Sequence, residues 1–229
     1  MKLDHAVWFT ERTPDTVAGQ YEGTYRGGSH EKWGTYNALK YLQNGYIEWL
    51  AVEDPETAGQ SGNPLVRLLL HDLAAYGEGW GTLCFSTDGI DQLDARLTTA
   101  GFKTSGVLNA SRKSTAGSLK KWKLLFIEES YTDKLPFPFF IQWEEDEETR
   151  RNVLMEEGFL GETGASERIE ECVLETDDPQ AAIGNWCRLL DVRPDTVDSF
   201  LLGNIRFRFQ EAAGPRHRLT AVTTGHTES

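Results

Sequence analysis

Tyr46-Ile47-Glu48-Trp49-Leu50-Ala51-Val52 decides how this chain folds, together with Trp33-Gly34-Thr35-Tyr36-Asn37-Ala38-Leu39 before it and Gln43-Asn44-Gly45 between them. Alternation puts Tyr46, Glu48, Leu50 and Val52 on one face of a strand and Ile47, Trp49 and Ala51 on the other. The Asn-Gly pair between two extended runs is a hairpin signal, so residues 32–42 and 46–53 read as paired strands. Glu48 then sits among apolar neighbours. A carboxylate there requires a partner: a cation, a metal or a ligand donor.

Working outward, residues 3–9 read as a strand, and Thr13-Pro14-Asp15 opens a helix with Thr13 as N-cap and Pro14 in the first turn. The first unit is therefore strand, helix, strand, strand, with the residues before the hairpin, through Gly27-Gly28, read as connection. Asn63-Pro64 starts a helical segment over 63–77. The order then restarts: a strand over 79–86, a helix from Asp88 or Asp91 to Gly101, and extended runs over 107–111, 122–128 and 139–143, connected by 114–118 and the proline-bounded stretch 134–138. Residues 147–168 read as a polar linker packing one helical turn around Val153 to Met155. Beyond it a strand over 169–175, a helix opened by Asp178-Pro179, and strands over 199–209 and 219–223 make a shorter third copy, and residues 225–229 read as a loosely held tail. A sheet covered on one face leaves the other open, so such modules pair and enclose a cavity, the natural place for a site.

A chain of 229 residues with 39% hydrophobic content buries a large core. The net charge of −13 repels phosphate backbones, and no basic stripe interrupts it, so nucleic acid is excluded as a partner. Apolar runs fall short of the roughly 20 residues a membrane helix needs, and the first residues lack a signal-peptide pattern; the expectation is a cytoplasmic protein with no membrane partner. Cys84, Cys172 and Cys187 are widely spaced and read as buried thiols. His71, His217 and His226 have no ligand spacing. Gly77-Glu78-Gly79-Trp80-Gly81-Thr82 follows a helix and enters a strand, the reverse of the dinucleotide fingerprint.

Leu3-Asp4-His5-Ala6-Val7, Gly27-Gly28-Ser29-His30, the two strands quoted above and Phe139-Phe140-Ile141-Gln142-Trp143 resemble the glyoxalase-like branch of the vicinal oxygen chelate superfamily. The resemblance is densest over residues 3–54. It implies an α+β fold of paired βαβββ modules, about 1–56 and 79–146, whose curled mixed sheets enclose a cavity, followed by a linker over 147–168 and a partial third module over 169–225. It also implies one divalent metal (Zn, Ni, Mn or Fe) on the first and last strands of each module. Those positions are His5, Glu48 and Gln142; the fourth, on residues 81–86, carries no histidine or carboxylate.

Such a metal acts as a Lewis acid toward a small polar organic molecule, with Glu48 moving a proton, in lyase, isomerase or dioxygenase chemistry. Without a metal, His5 and Glu48 bond each other across the strands. His30, Trp33, Thr35, Asn37 and Trp143 are the expected ligand contacts, Thr35 and Asn37 as hydrogen-bonding groups on one strand face and the tryptophans as apolar walls. The alternative from another class is a non-catalytic binding or sequestering protein of the same fold, and a third assigns the last module to a homodimer surface.

Overall fold

The structure is a computed structural model that describes residues 1–113, 119–128, 134–160 and 166–226. Its first module runs β1 (Lys2–Phe9), α1 (Pro14–Gln20), β2 (Thr24–His30), β3 (Thr35–Leu42) and β4 (Gly45–Val52). Helices α2 (Pro55–Gln60) and α3 (Pro64–Tyr76) lead into the second: β5 (Gly79–Ser86), α4 (Ile90–Thr99), β6 (Leu108–Lys113), β7 (Leu119–Leu125) and β8 (Phe139–Trp143). The expected connection over 114–118 lies outside the described residues. Local chemistry sets the helix starts: Thr13, Asp54 and Asn63 each accept a backbone N–H as N-cap ahead of a proline.

In each module the last strand pairs parallel with the first, β4 with β1 and β8 with β5, and antiparallel pairing of β1 with β5 fuses the halves. One eight-stranded sheet results, in the order β2-β3-β4-β1-β5-β8-β7-β6. It curls until its edge strands β2 and β6 approach each other. The paired-module reading is correct, but residues 24–30, expected as connection, form strand β2. Thr24-Tyr25-Arg26-Gly27-Gly28-Ser29-His30 lacks apolar alternation, and a bulge between Arg26 and Gly28 interrupts its pairing with β3, so the glycine pair reads as a loop.

The third module is β9 (Glu167–Thr176), α6 (Pro179–Leu190), β10 (Ser199–Leu202), β11 (Ile205–Glu211) and β12 (Leu219–His226). Its sheet runs β10-β11-β9-β12, with β11 parallel to β9 and β12 antiparallel to it. The expected loose tail is therefore strand through His226; residues 227–229 lie outside the described residues. Leu3, Ala6, Leu83 and Phe85, from the face of the large sheet opposite the cavity, share one core with Cys172, Trp186, Phe207 and Phe209. The Phe85 ring lies 5.5 Å from Phe207. Burial of each such side chain contributes about 1.5–3 kcal/mol, so this contact binds the third module as firmly as any interior.

Residues 147–168, expected as a linker, form α5 (Glu147–Glu156), capped by Asp146, whose carboxylate accepts from Thr149 N; residues 161–165 lie outside the described residues. The apolar periodicity of α5 is weak because its inner face meets a cavity and ring faces instead of a packed core. No helix among the described residues is long and apolar enough to cross a membrane.

Candidate functional site

The cavity lies inside the curled sheet and is walled by both modules and by α5. Strand alternation sends His5 from β1, Tyr46, Glu48 and Leu50 from β4, Thr35, Asn37 and Leu39 from β3, and Phe139, Ile141 and Trp143 from β8 to this face. His30 and Trp33 enter from the end of β2 and the 3-10 turn that follows, so Trp33 lines the wall from a turn and not from the strand expected for it. Gly34 ends that turn at φ +63°, and a Cβ on it would meet Asp54 O at 2.5 Å. Only glycine lets the chain reverse there.

The polar floor is built in layers. Asn37 Nδ2 donates to Glu48 Oε1 at 2.5 Å while Asn37 Oδ1 accepts from Gly28 N at 3.1 Å, using the backbone freed at the β2 bulge. Glu48 Oε2 lies 3.3 Å from His5 Nε2, within ion-pair range but off hydrogen-bond geometry, so among the described residues His5 Nε2 is a buried polar atom without a hydrogen-bond partner. The other ring nitrogen, Nδ1, bonds Asp4 Oδ1 at 2.8 Å. Tyr46 stacks on the imidazole with centroids 4.5 Å apart. His30 Nδ1 and Thr35 Oγ1 are 3.1 Å apart.

Asp4 was not among the expected residues. Plain alternation would turn it away from His5, but β1 carries a bulge between Leu3 and His5, so two residues there oppose one on β5. Asp4 Oδ2 accepts from Trp143 Nε1 at 2.9 Å and lies 3.4 Å from Arg150 Nη1, whose guanidinium covers the Trp143 ring at 4.3 Å. A chain of contacts thus runs from α5 to the floor: Arg150, Asp4, His5, Glu48. Neither link was legible, since a bulge depends on the partner strand and Arg150 stands in what reads as a polar linker.

Burial opposes ionisation of both carboxylates, but their partners outweigh it. Arg150, His5 and Trp143 hold Asp4 well below the usual carboxylate range, and His5, His30 and Asn37 bring Glu48 to about 2. Burial likewise works against a charged His5, yet Cys84, the hydrogen bond to Asp4 and the nearby Glu48 carboxylate raise it well above the usual histidine value. Burial pushes the Cys84 thiol up to about 12, so the two carboxylates carry the negative charge. The His5 ring thus stands between two carboxylates, Asp4 at Nδ1 and Glu48 at Nε2.

Gln142 is the correction. It faces away from the cavity, where Oε1 accepts from Ile90 N at 2.9 Å and Nε2 donates to Asp88 O at 3.2 Å, fastening the start of α4. Register explains the error. His5 stands opposite Tyr46 as Cys84 stands opposite Phe139, so the counterpart of Glu48 is Ile141, one residue away. The other expected residues, His5, His30, Trp33, Thr35, Asn37, Glu48 and Trp143, all line the cavity.

This arrangement does not fit a resident metal. Toward the cavity the donors are His5 Nε2, Glu48 and His30, but among the described residues His30 does not come within ligand reach of both the others, and the second module supplies Phe139 and Ile141; a catalytic zinc takes about three protein ligands around one ion. Asp4, His5 and Cys84 do bring ligand-type atoms within 4.8 Å of one another. The Asp4 oxygens are already engaged by His5 and Trp143, however.

Two strand-helix-three-strand modules fused through their first strands around a cavity define the vicinal oxygen chelate class of protein. Within it the chain belongs to the glyoxalase-like domain family, whose sequence profile matches residues 3–190. No curated protein matches the sequence. A hypothetical protein from Staphylococcus aureus shares the fold over 100% of this chain and 92% of that one, with a TM-score of 0.83 and 23% identity. A variant of Streptomyces coelicolor methylmalonyl-CoA epimerase in complex with 2-nitronate-propionyl-CoA overlaps 63% of this chain and 99% of that one, at TM-score 0.44 and 16% identity. Methylmalonyl-CoA epimerase from Mycobacterium tuberculosis overlaps 66% and 91%, also at TM-score 0.44 and 16% identity.

Proposed function

We propose that this glyoxalase-like protein acts on a small organic carbonyl compound by proton transfer between His5 and Glu48, as an isomerase or lyase that needs no resident metal. The observation that carries this reading is the pairing of an unbonded buried nitrogen, His5 Nε2, with the Glu48 carboxylate 3.3 Å away inside the cavity. A carbonyl oxygen seated on His5 Nε2–H places the adjacent carbon near Glu48 Oε2. Glu48 removes the proton from that carbon, the C–H electron pair moves into the C–C bond, and the carbonyl oxygen takes the His5 proton to give an enol. Return of a proton to carbon gives isomerisation, and loss of a leaving group from the next carbon gives elimination. Asp4 on Nδ1 fixes the ring orientation throughout.

Dioxygenase chemistry is set aside because a non-haem iron site needs two histidines and a carboxylate around one ion; His5, His30 and Glu48 all line the cavity, but among the described residues the ligand-type atoms that gather within 4.8 Å are those of Asp4, His5 and Cys84. The test is loss of the α-proton NMR signal of neutral ketones, α-hydroxy ketones and 1,2-dicarbonyls in D2O. Metal-stripped protein should exchange at least one of them, and Glu48→Gln should abolish exchange while tryptophan quenching by the same compound persists.

A second reading, sequestration without reaction, is favoured by one observation: a carboxylate held at about 2 is a weak base until a ligand parts it from His5. Saturable quenching with no exchange for any compound would establish that reading and overturn the first.

A further inference from the structure

Every charged side chain on the cavity floor already has a counter-charge. Asp4 and Glu48 are matched by His5 and by Arg150, with Asp4, His5 and Glu48 buried and Arg150 largely covered. The two other cations of the lining are also paired, Lys120 with Glu145 at 3.1 Å and Arg26 with Asp15 at 2.8 Å. Glu157, at the exposed rim, lies on the solvent side. An ionic ligand entering this floor would have to displace an existing ion pair or remain an unmatched charge in a low-dielectric site.

Above the floor the walls are ring faces. Trp122 and Trp143 of the second module lie 5.4 Å apart, tilted by 47°, and His30 joins Trp33 to Trp122 at 5.6 and 6.2 Å. Phe159, following α5, closes the far side through edge contact with Tyr25 at 5.1 Å. A wall built of aromatic rings rewards a flat π-system over an aliphatic body of the same size.

We infer that the ligand is a neutral, planar aromatic or heteroaromatic molecule carrying one carbonyl-type polar head, which meets His5 and Glu48 while its ring lies along the Trp122–Trp143 wall of the cavity. This deepens the carbonyl reading above and rests on it for the placement of the head group; the charge and shape selection rest on the ion pairs and the walls.

The experiment uses the full chain and three near-isosteric probes, neutral benzamide, anionic benzoate and cationic benzamidinium, with cyclohexanecarboxamide as the non-aromatic control, titrated against tryptophan fluorescence. Benzamide is expected to saturate the quenching at a concentration roughly tenfold or more below the other three, a ratio set by about one decade per unpaired charge or lost stacking face. Trp122→Leu should remove the preference over cyclohexanecarboxamide while leaving the discrimination against benzoate. Equal or tighter binding of benzoate or benzamidinium, or no saturable quenching by benzamide, overturns the inference. Proton exchange observed on a charged ketone would sink this ligand class and leave the reaction standing. Benzamide preference with no exchange on any ketone would do the reverse.

Discussion

Gln142 and Glu48 occupy similar-looking tripeptides, Ile-Gln-Trp and Ile-Glu-Trp, yet point to opposite faces of the sheet. The side-chain period of a strand is two, so a one-residue difference in register exchanges inside for outside, and local similarity cannot detect it. Gln142 is a structural residue. Gln142→Ala is expected to cost about 1 kcal/mol in chemical denaturation, the value of a lost helix-start hydrogen bond, with no change in ligand quenching. A loss of ligand binding in a folded variant would return Gln142 to the site. Seven other expected residues line the cavity, those on strands because alternation brings them to that face and Trp33 from a turn the strand reading does not contain; Asp4 was not legible, because the bulge that re-aims it exists only in the pairing of β1 with β5.

At the scale of elements, the hairpin between β3 and β4 formed where the Asn-Gly signal put it, but for a further purpose. Asn44 Nδ2 donates to Ile169 O at 2.8 Å and Asn44 Oδ1 accepts from Ile169 N at 2.8 Å, while Gln43 N donates to Glu167 O at 2.8 Å. The loop tip thus serves as a short continuation of the ladder for β9, and Lys40 adds an ion pair to Glu167 at 2.8 Å. Asn44→Ala should leave buried backbone groups of Ile169 unpaired and cost about 2 kcal/mol, read as a lower denaturant midpoint with unchanged slope. An unchanged midpoint would mean water replaces the amide fully. Helix α5 was read as linker for a related reason: its burial is against the cavity and Trp143, so its sequence keeps the charge of a surface segment.

For the whole molecule, the decisive contact is a buried ion pair between parts far apart in sequence. Arg218 Nε and Nη2 donate to Asp72 Oδ2 and Oδ1 at 2.8 and 2.7 Å, and Arg218 Nη1 donates to Lys134 O and His217 O, each at 2.6 Å. Both side chains are essentially fully buried, and Arg216 Nη2 adds a second cation 3.5 Å from Asp72. Arg218→Met strands the Asp72 charge inside the protein and is expected to destabilise by about 3–5 kcal/mol. Burial works against ionised Asp72, but the Arg218 and Arg216 guanidiniums outweigh it and hold its pKa below the ordinary value of 3.8. A depressed carboxyl pKa stabilises the fold above the unfolded value and loses that contribution as pH falls through the folded one. The wild type should therefore lose stability steeply below about pH 4, and an Asp72→Asn variant less steeply there, measured by thermal melts across pH. A chain ending at residue 146 would lose Arg218 and expose Leu83 and Phe85; it is expected to bind a hydrophobic dye and to lack a cooperative melt. A cooperative melt in that fragment would make the third module a separable domain.

The sequence by itself determined the modules. Strand alternation, the Asp, Asn or Thr before proline at three helix starts, and the hairpin turn are local preferences, and they fix which residues face the cavity because side-chain direction follows from backbone period. It also determined that Glu48 needs partners. Only the tertiary structure decided who those partners are: the β1 bulge that delivers Asp4, the β8 register that withdraws Gln142, the α5 helix that brings Arg150, and the third module locked on by Arg218. Each of these depends on where a second strand or a distant segment comes to lie, a relation between residues far apart in the chain that no local pattern encodes.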